Sequence, residues 1–306
     1  MARMDFLAVL AKVETTYGTD SVPTGAADPM VFQDVEMTPI EGDRVERTRV
    51  SPFFGNRPAQ LVARRMRLSG GVDLAGAGAA GTAPRYAPLL RACGMAQTIS
   101  AGVHARYMPV SAGQESASLY YFLDGTRHRG LGARGSFDIE IAARAIPRIR
   151  FDLTAMEVPA DAVALPVQTL TGWQEPIAAS FAATPTATIN AAAVALQSFT
   201  YRHGQAVTLN ERIGRRRVEI SGRQPAATAL IEAPDALATN FFALQGGAAI
   251  QCSFVHGTVA GQIVEVGLRA QIMDVRYVND AGIAMLQLEL LPVPNTGDDE
   301  ITLTVR

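Results

Sequence analysis

Residues 65–94 read RMRLSGGVDLAGAGAAGTAPRYAPLLRACG, and residues 217–246 read RVEISGRQPAATALIEAPDALATNFFALQG. Each stretch opens on a strand-like run with Ser-Gly, passes through small residues, and closes on a Pro-bounded segment with an apolar pair ahead of Gly. Ser69-Gly70 and Ser221-Gly222 lie 152 residues apart, and so do Leu89-Leu90 and Phe241-Phe242 with the Gly94 and Gly246 that follow. Order and spacing agree, so the chain reads as one unit used twice. The organisation expected is a first unit with an N-terminal arm over 1–156, a linker rich in Ala, Pro and Thr over 157–185, and a second unit over 186–306. Trp173 is the linker's expected packing anchor.

A chain of 306 residues is long enough for two domains, each burying its own core. Charged residues make up 18% and hydrophobic ones 48%, a surface poor in charge for a free monomer and a hint of self-association. The longest apolar runs fall short of the ~18 to 20 residues that a membrane span needs. The N-terminus also lacks the parts of a signal peptide, so a soluble, unexported protein with no membrane partner is expected. A net charge of -2 supplies no strong grip on nucleic acid. Cys93 and Cys252 fall at unmatched positions of the two copies and read as buried free thiols.

Period-two alternation recurs along the chain. It is sharpest where Ile149, Phe151 and Leu153 oppose Arg148, Arg150 and Asp152, and where Leu286, Leu288 and Leu290 oppose Gln287 and Glu289. Such strands have one buried face and one wet face. Strands are expected over 30–37, 61–74, 105–110, 118–123, 135–142 and 148–155 in the first copy. In the second they are expected over 194–201, 215–221, 226–232, 250–255, 263–273, 283–291 and 301–306. One short helix per copy is expected, at 84–94 and 234–244. The fold class is therefore mainly β, with two tandem β-sandwich or barrel units.

Chemical motifs do not hold up under their own requirements. Gly76-Ala-Gly78-Ala-Ala-Gly81 matches the dinucleotide fingerprint, but Thr82, Ala83 and Pro84 follow where a helix should start, and no acid stands between Asp73 and Glu115. A two-lobed aspartic protease needs Asp-Thr-Gly or Asp-Ser-Gly in each lobe. The chain offers Asp124-Gly125-Thr126 and His256-Gly257-Thr258. His104, His128, His203 and His256 show no metal-ligand or triad spacing. Arg215-Arg216-Arg217 runs straight into a strand and reads as a solvated or subunit-contacting patch. No enzyme and no cofactor are expected.

ETTYG at 14–18, EGDRVE at 41–46, GAAGTAPRYAPLLRACG at 78–94, HGTVAG at 256–261, GIAML at 282–286 and GDDEITLTVR at 297–306 give the chain a family likeness. In order and over nearly the whole length, it resembles the major tail tube proteins of long-tailed bacteriophages. That resemblance implies small β-sandwich or barrel units flanked by a helix, joined into stacked rings that conduct DNA. It also implies a tape-measure protein, tail terminator and distal tail proteins as partners, and DNA passing without specific binding. With the fold present twice, three chains would supply six equivalent units. The virion tail is the location implied, with assembly in the host cytoplasm. Asp138, Glu140, Arg148, Arg150, Asp152, Glu265, Gln287 and Glu289 are the candidates for the lumen lining, the alternative for the same residues being an outer, solvent-facing sheet surface. Pro52, Phe53, Phe54, Asn56 and Arg57 in the 49–60 loop, with Thr16 and Tyr17 in the arm, are the expected contacts between rings. The alternative is a soluble bilobed β-sandwich binding protein or hydrolase.

Overall fold

The computed structural model describes residues 6–50, 52–234 and 239–306. The first half runs β1 (Leu7–Val13), β2 (Pro29–Met30), β3 (Gln33–Glu46), β4 (Ala59–Asp73), α1 (Ala87–Ala92), β5 (Met95–Ser100), β6 (His104–Pro109), β7 (Ala117–Leu123), β8 (Thr126–Ala142) and β9 (Arg148–Ala162). The second runs β10 (Thr186–Ile189), β11 (Ala192–Ala193), β12 (Leu196–Arg202), β13 (Gln205–Arg212), β14 (Arg215–Arg223), β15 (Ala226–Glu232), β16 (Ile250–His256), β17 (Val264–Asp280), β18 (Ile283–Pro292) and β19 (Ile301–Val305). The protein is mainly β. Strand β1 pairs with β7 along its whole length. Strand β9 continues to Ala162, past position 156.

Pairing order repeats. Hydrogen-bonded neighbours run β3-β4-β9-β8-β7-β1 in the first half and β12-β15-β18-β17-β16-β10 in the second, all antiparallel. One row of facing residues, Met37-Leu68-Leu153-Gly135, has its counterpart in Phe199-Ala229-Leu288-Val275. Each row ends one residue beyond a β-bulge, at Leu131/Arg134 in β8 and Ile272/Asp274 in β17. These bulges bend long strands so that the two ends of one strand can pair with different neighbours.

By this register β4 corresponds to β15. Ser69-Gly70 lies on β4, but Ser221-Gly222 lies on β14, half of a separate hairpin inserted between β12 and β15. The Ser-Gly half of the 152-residue spacing is therefore a coincidence of sequence. The apolar pairs do correspond. Leu89 and Leu90 are fully buried in α1, which ends at Gly94 with φ +66°, and Phe241 is buried in a 3-10 turn over Phe241–Leu244 that ends near Gly246, also at φ +66°. Positions 235–238 of the second expected helix lie outside the described residues.

Separate cores are not formed. Among the described residues one large buried cluster runs from Val9 through Phe137, Phe199 and Phe254 to Val305, and a small second one, Ala8, Leu10, Tyr120 and Phe122, lies in the first half. Two joints weld the halves: β12 pairs with β8 over Ser198–Arg202, and β19 pairs with β6 over Leu303–Val305. Together they make one 17-stranded sheet among the described residues. Alternation explains why both halves share it, since each presents one apolar face and the two faces close on each other. Glycine loops tighten the closure. A Cβ on Gly76 would lie 2.1 Å from the Gly261 carbonyl oxygen, so the GAGAAG loop of one half and the HGTVAG loop of the other meet backbone to backbone. That close approach accounts for the glycines that mimic a dinucleotide motif.

Candidate functional site

The wet faces of the two halves form one surface. Asp73 faces Arg148, Arg148 faces Glu140, Glu140 faces Thr200, Thr200 faces Thr228, Thr228 faces Glu289, and Glu289 faces Asp274. This row crosses β4, β9, β8, β12, β15, β18 and β17 without a break. A second row, Gly71-Arg150-Asp138-Arg202-Ala226, runs beside it. Seven of the eight expected lining residues, Asp138, Glu140, Arg148, Arg150, Asp152, Gln287 and Glu289, stand on this face. Glu265 does not. It lies ahead of the β17 bulge, between β16 and β19, and pairs with Arg306 at 3.1 Å. Alternation places a residue on a face of its own strand, but the two ends of β17, either side of its bulge, lie beside different strands, β16 and β19 ahead of it and β18 after it.

Charges on the face are balanced locally. Arg67 meets Asp152 at 3.0 Å, Arg148 meets Asp73 at 3.7 Å, and Arg276 bridges Asp274 and Glu289. Between Arg150 and Arg202, Asp138 reaches solvent at the floor of a basin of about 520 Å3. Lost hydration there pushes its carboxyl up, against the pull of Arg202 and Arg150. The basin straddles the β8-β12 joint, so hydrogen-bonded strands occupy the place where two lobes would flank a cleft. Among the described residues no group of three or more His, Cys, Asp or Glu is placed to hold a metal ion, and no helix is long and apolar enough to cross a membrane. Both cysteines are buried, and burial pushes the Cys252 thiol up to about 12 and that of Cys93 well above its ordinary value.

Both ends of the face are open. Strand β3 has β4 as its only partner strand, and β17 beyond Ala270 has β18 alone, among the described residues. The distal part of the β3-β4 hairpin stands away from the body. Residues 43–50 and 52–62 are exposed, with Phe54, Val50 and Phe53 nearly or fully so. Ion pairs of Arg65 with Glu41 and Asp43, the EGDRVE segment, brace its root. Pro52, Phe53, Phe54, Asn56 and Arg57 all lie in the exposed connection at its tip.

Tyr17 is committed within the chain, whereas Thr16 is exposed. The Tyr17 hydroxyl accepts from the Val218 amide at 2.6 Å and lies 3.4 Å from the Gly132 carbonyl, and Arg134 and Arg217 cover its ring. Beside it Glu14, buried, accepts hydrogen bonds from the Gly18 and Gly132 amides and from the Ser116 and Ser118 hydroxyls. ETTYG is thus a clamp joining β1, β7, β8 and the β13-β14 hairpin. The basic run completes it: Arg216 donates to the Arg64 carbonyl and Arg215 pairs with Glu219. Trp173 donates its indole N–H to the Pro29 carbonyl at 3.1 Å, anchoring the 163–185 segment as expected.

The shared motifs therefore build clamps, turns and close approaches. The family model described as "Phage tail tube protein" matches residues 7–306. The chain belongs to the phage tail tube protein family. No curated protein matches it. A structural role in the tail tube, and a place in the virion tail, follow from that membership. For a tail tube protein, a sheet open at both ends and polar on one face is the feature with functional meaning, because unpaired strand edges recruit further strands.

Proposed function

We propose that three copies of this tail tube protein close into a ring, that rings stack into the tube, and that the continuous polar face lines the channel through which DNA leaves. The observation that supports this is the continuous succession of antiparallel pairings from β3 through β4, β9, β8, β12, β15 and β18 to β17. Three chains would bring 24 strands to a common barrel. At ~4.8 Å between strands and a tilt of ~40°, such a barrel has a backbone diameter of about 48 Å, and side chains narrow the bore to about 36 Å. That passes duplex DNA with room to spare. Six chains would double the backbone diameter to about 96 Å by the same geometry, far wider than the cargo.

The two halves, with boundaries near 1–156 and 186–306 and the 157–185 segment strapping them, would act as the ring's six quasi-equivalent units. The lining suits passage. Arg67, Arg148, Arg150, Arg202 and Arg276 are matched by Asp73, Asp138, Glu140, Asp152, Asp274 and Glu289, so no phosphate-gripping stripe forms, and strong phosphate contacts would slow a moving polyanion. The exposed tip of the β3-β4 hairpin, Pro52 to Arg57, and Thr16 would contact the next ring. Before ejection the tape-measure protein would occupy the bore, terminator and distal tail proteins would cap the ends, and assembly would take place in the host cytoplasm. Negative-stain imaging of purified protein, with native mass measurement of single rings, tests the reading. Rings or tubes of three chains are expected. Compact monomers would favour the bilobed soluble alternative, and a mass of six chains would refute the trimer.

A further inference from the structure

The joint between halves is a template for the joint between subunits. At the internal joint, β12 lies against the part of β8 beyond its bulge, with Thr200 facing Glu140, Tyr201 facing Ile139 and Arg202 facing Asp138. The joint extends through the His203 amide, which donates to the Phe137 carbonyl at 2.9 Å. The register equates β12 with β3 through Phe199 and Met37, and β8 with β17 through Gly135 and Val275. The counterparts of the joined edges are therefore the two edges of the polar face that lack a partner strand among the described residues.

Burial carries the same message. Phe199 and Tyr201 on the joined edge are fully buried, whereas their counterparts Met37 and Pro39 on β3 are only partly so. Phe137 on β8 is 1% exposed, but its counterpart on β17, Tyr277, is 68% exposed beside the exposed Phe242. Val31 and Ile40 at the β3 edge and Ile283 at the β17 turn are exposed too. Apolar side chains and unpaired backbone thus coincide on both edges, and only an added strand covers both at once.

We propose that the β3 edge of one subunit pairs antiparallel with the β17 edge of the next, in the register copied from β8-β12, so that Thr38 faces Asp280, Pro39 faces Asn279 and Ile40 faces Val278 of the neighbour. This rests on the tail tube reading, and it deepens that reading by naming the strands and register of the contact. Up to Thr38 the β3 edge follows β12 residue for residue, and beyond it β3 carries a bulge, between Thr38 and Glu41, that β12 lacks. Pro39 stands where the internal joint has Tyr201, at one of the hydrogen-bonded positions, so the copied joint has one amide donor fewer there.

Paired cysteines test it. Thr38→Cys with Asp280→Cys in one chain puts both partners at exposed sites, and the native thiols are buried and give little background. Facing residues of antiparallel strands bring Cβ atoms within disulfide range. Under mild oxidation of assembled protein, a ladder of one, two and three chains that stops at three is expected, with the single variants giving none. Thr38→Cys with Arg276→Cys, off register, should crosslink at least tenfold less. Normal tubes with no Thr38/Asp280 crosslink, or with preferential Thr38/Arg276 crosslinking, would overturn the joint and leave the tail tube reading intact. Absence of rings and tubes from the unmodified protein would overturn the reading itself.

Discussion

Replacing Glu14 should loosen the whole chain, because one carboxylate holds four donors from three places in the sequence. The Gly18 and Gly132 amides and the Ser116 hydroxyl donate at 2.7 Å, and the Ser118 hydroxyl donates at 3.0 Å. Glu14→Ala leaves the buried Gly132 amide and the part-buried Gly18 amide without partners, at roughly 1–3 kcal/mol each, while the serine hydroxyls can turn to other acceptors. Loss of the acidic side chain also leaves a void, so a net cost of about 3–5 kcal/mol is expected. Glu14→Gln keeps the shape and one acceptor oxygen and should cost about half as much. Because Tyr17 lies over the same Gly132, Tyr17→Phe should couple to Glu14→Gln by more than about 0.5 kcal/mol in a double-mutant cycle. The assay is denaturant unfolding of unassembled protein followed by circular dichroism, with proteolysis of the 14–27 segment alongside. Both Glu14 variants unfolding within about 0.5 kcal/mol of the parent would refute the clamp.

Deleting residues 52–58 should leave ring mass unchanged and abolish long tubes on negative stain; tubes of normal length would remove the hairpin tip from ring stacking. Gly261→Ala, at φ +87° and with a Cβ 2.5 Å from Gly78 backbone, should lower stability by about 2 kcal/mol or more, measured by thermal unfolding. His203 is buried against Phe137 between Tyr201 and Gln205, and burial holds its imidazole down at about 3 against 6.5 unfolded. Its contribution is therefore complete above about pH 6.5. It should fall by up to about 1.4 kcal/mol per pH unit toward pH 3, as the unfolded chain takes the proton. His203→Gln should flatten that slope in a stability-against-pH series.

Much of the architecture was legible without coordinates. Ile149, Phe151 and Leu153 against Arg148, Arg150 and Asp152 identify a strand with one dry face wherever it sits, because side-chain direction along a strand is a local property. Gly94 and Gly246 mark segment ends for a similarly local reason, the left-handed backbone that glycine tolerates. Repetition showed in the apolar pairs ahead of those glycines. The Ser-Gly match misled because a hairpin, β13-β14, had been inserted beside it, and a spacing count cannot see an insertion that restores its own length. Tyr17 looked like a free contact in an arm, and only its approach to Val218 and Gly132, over a hundred residues away, shows it engaged.

By itself the sequence determined the strand content, the wet and dry faces, the small-residue loops and membership in a family of tube builders. Tertiary structure alone decided which strands are neighbours, that both halves share one core, that Glu265 leaves the face its alternation promised, and that one edge of β3 and of the distal part of β17 is left open among the described residues. The physical reason is that backbone hydrogen bonds are the same for every residue. A side chain announces which way it points, whereas the identity of the strand beside it is written only in how the whole chain closes.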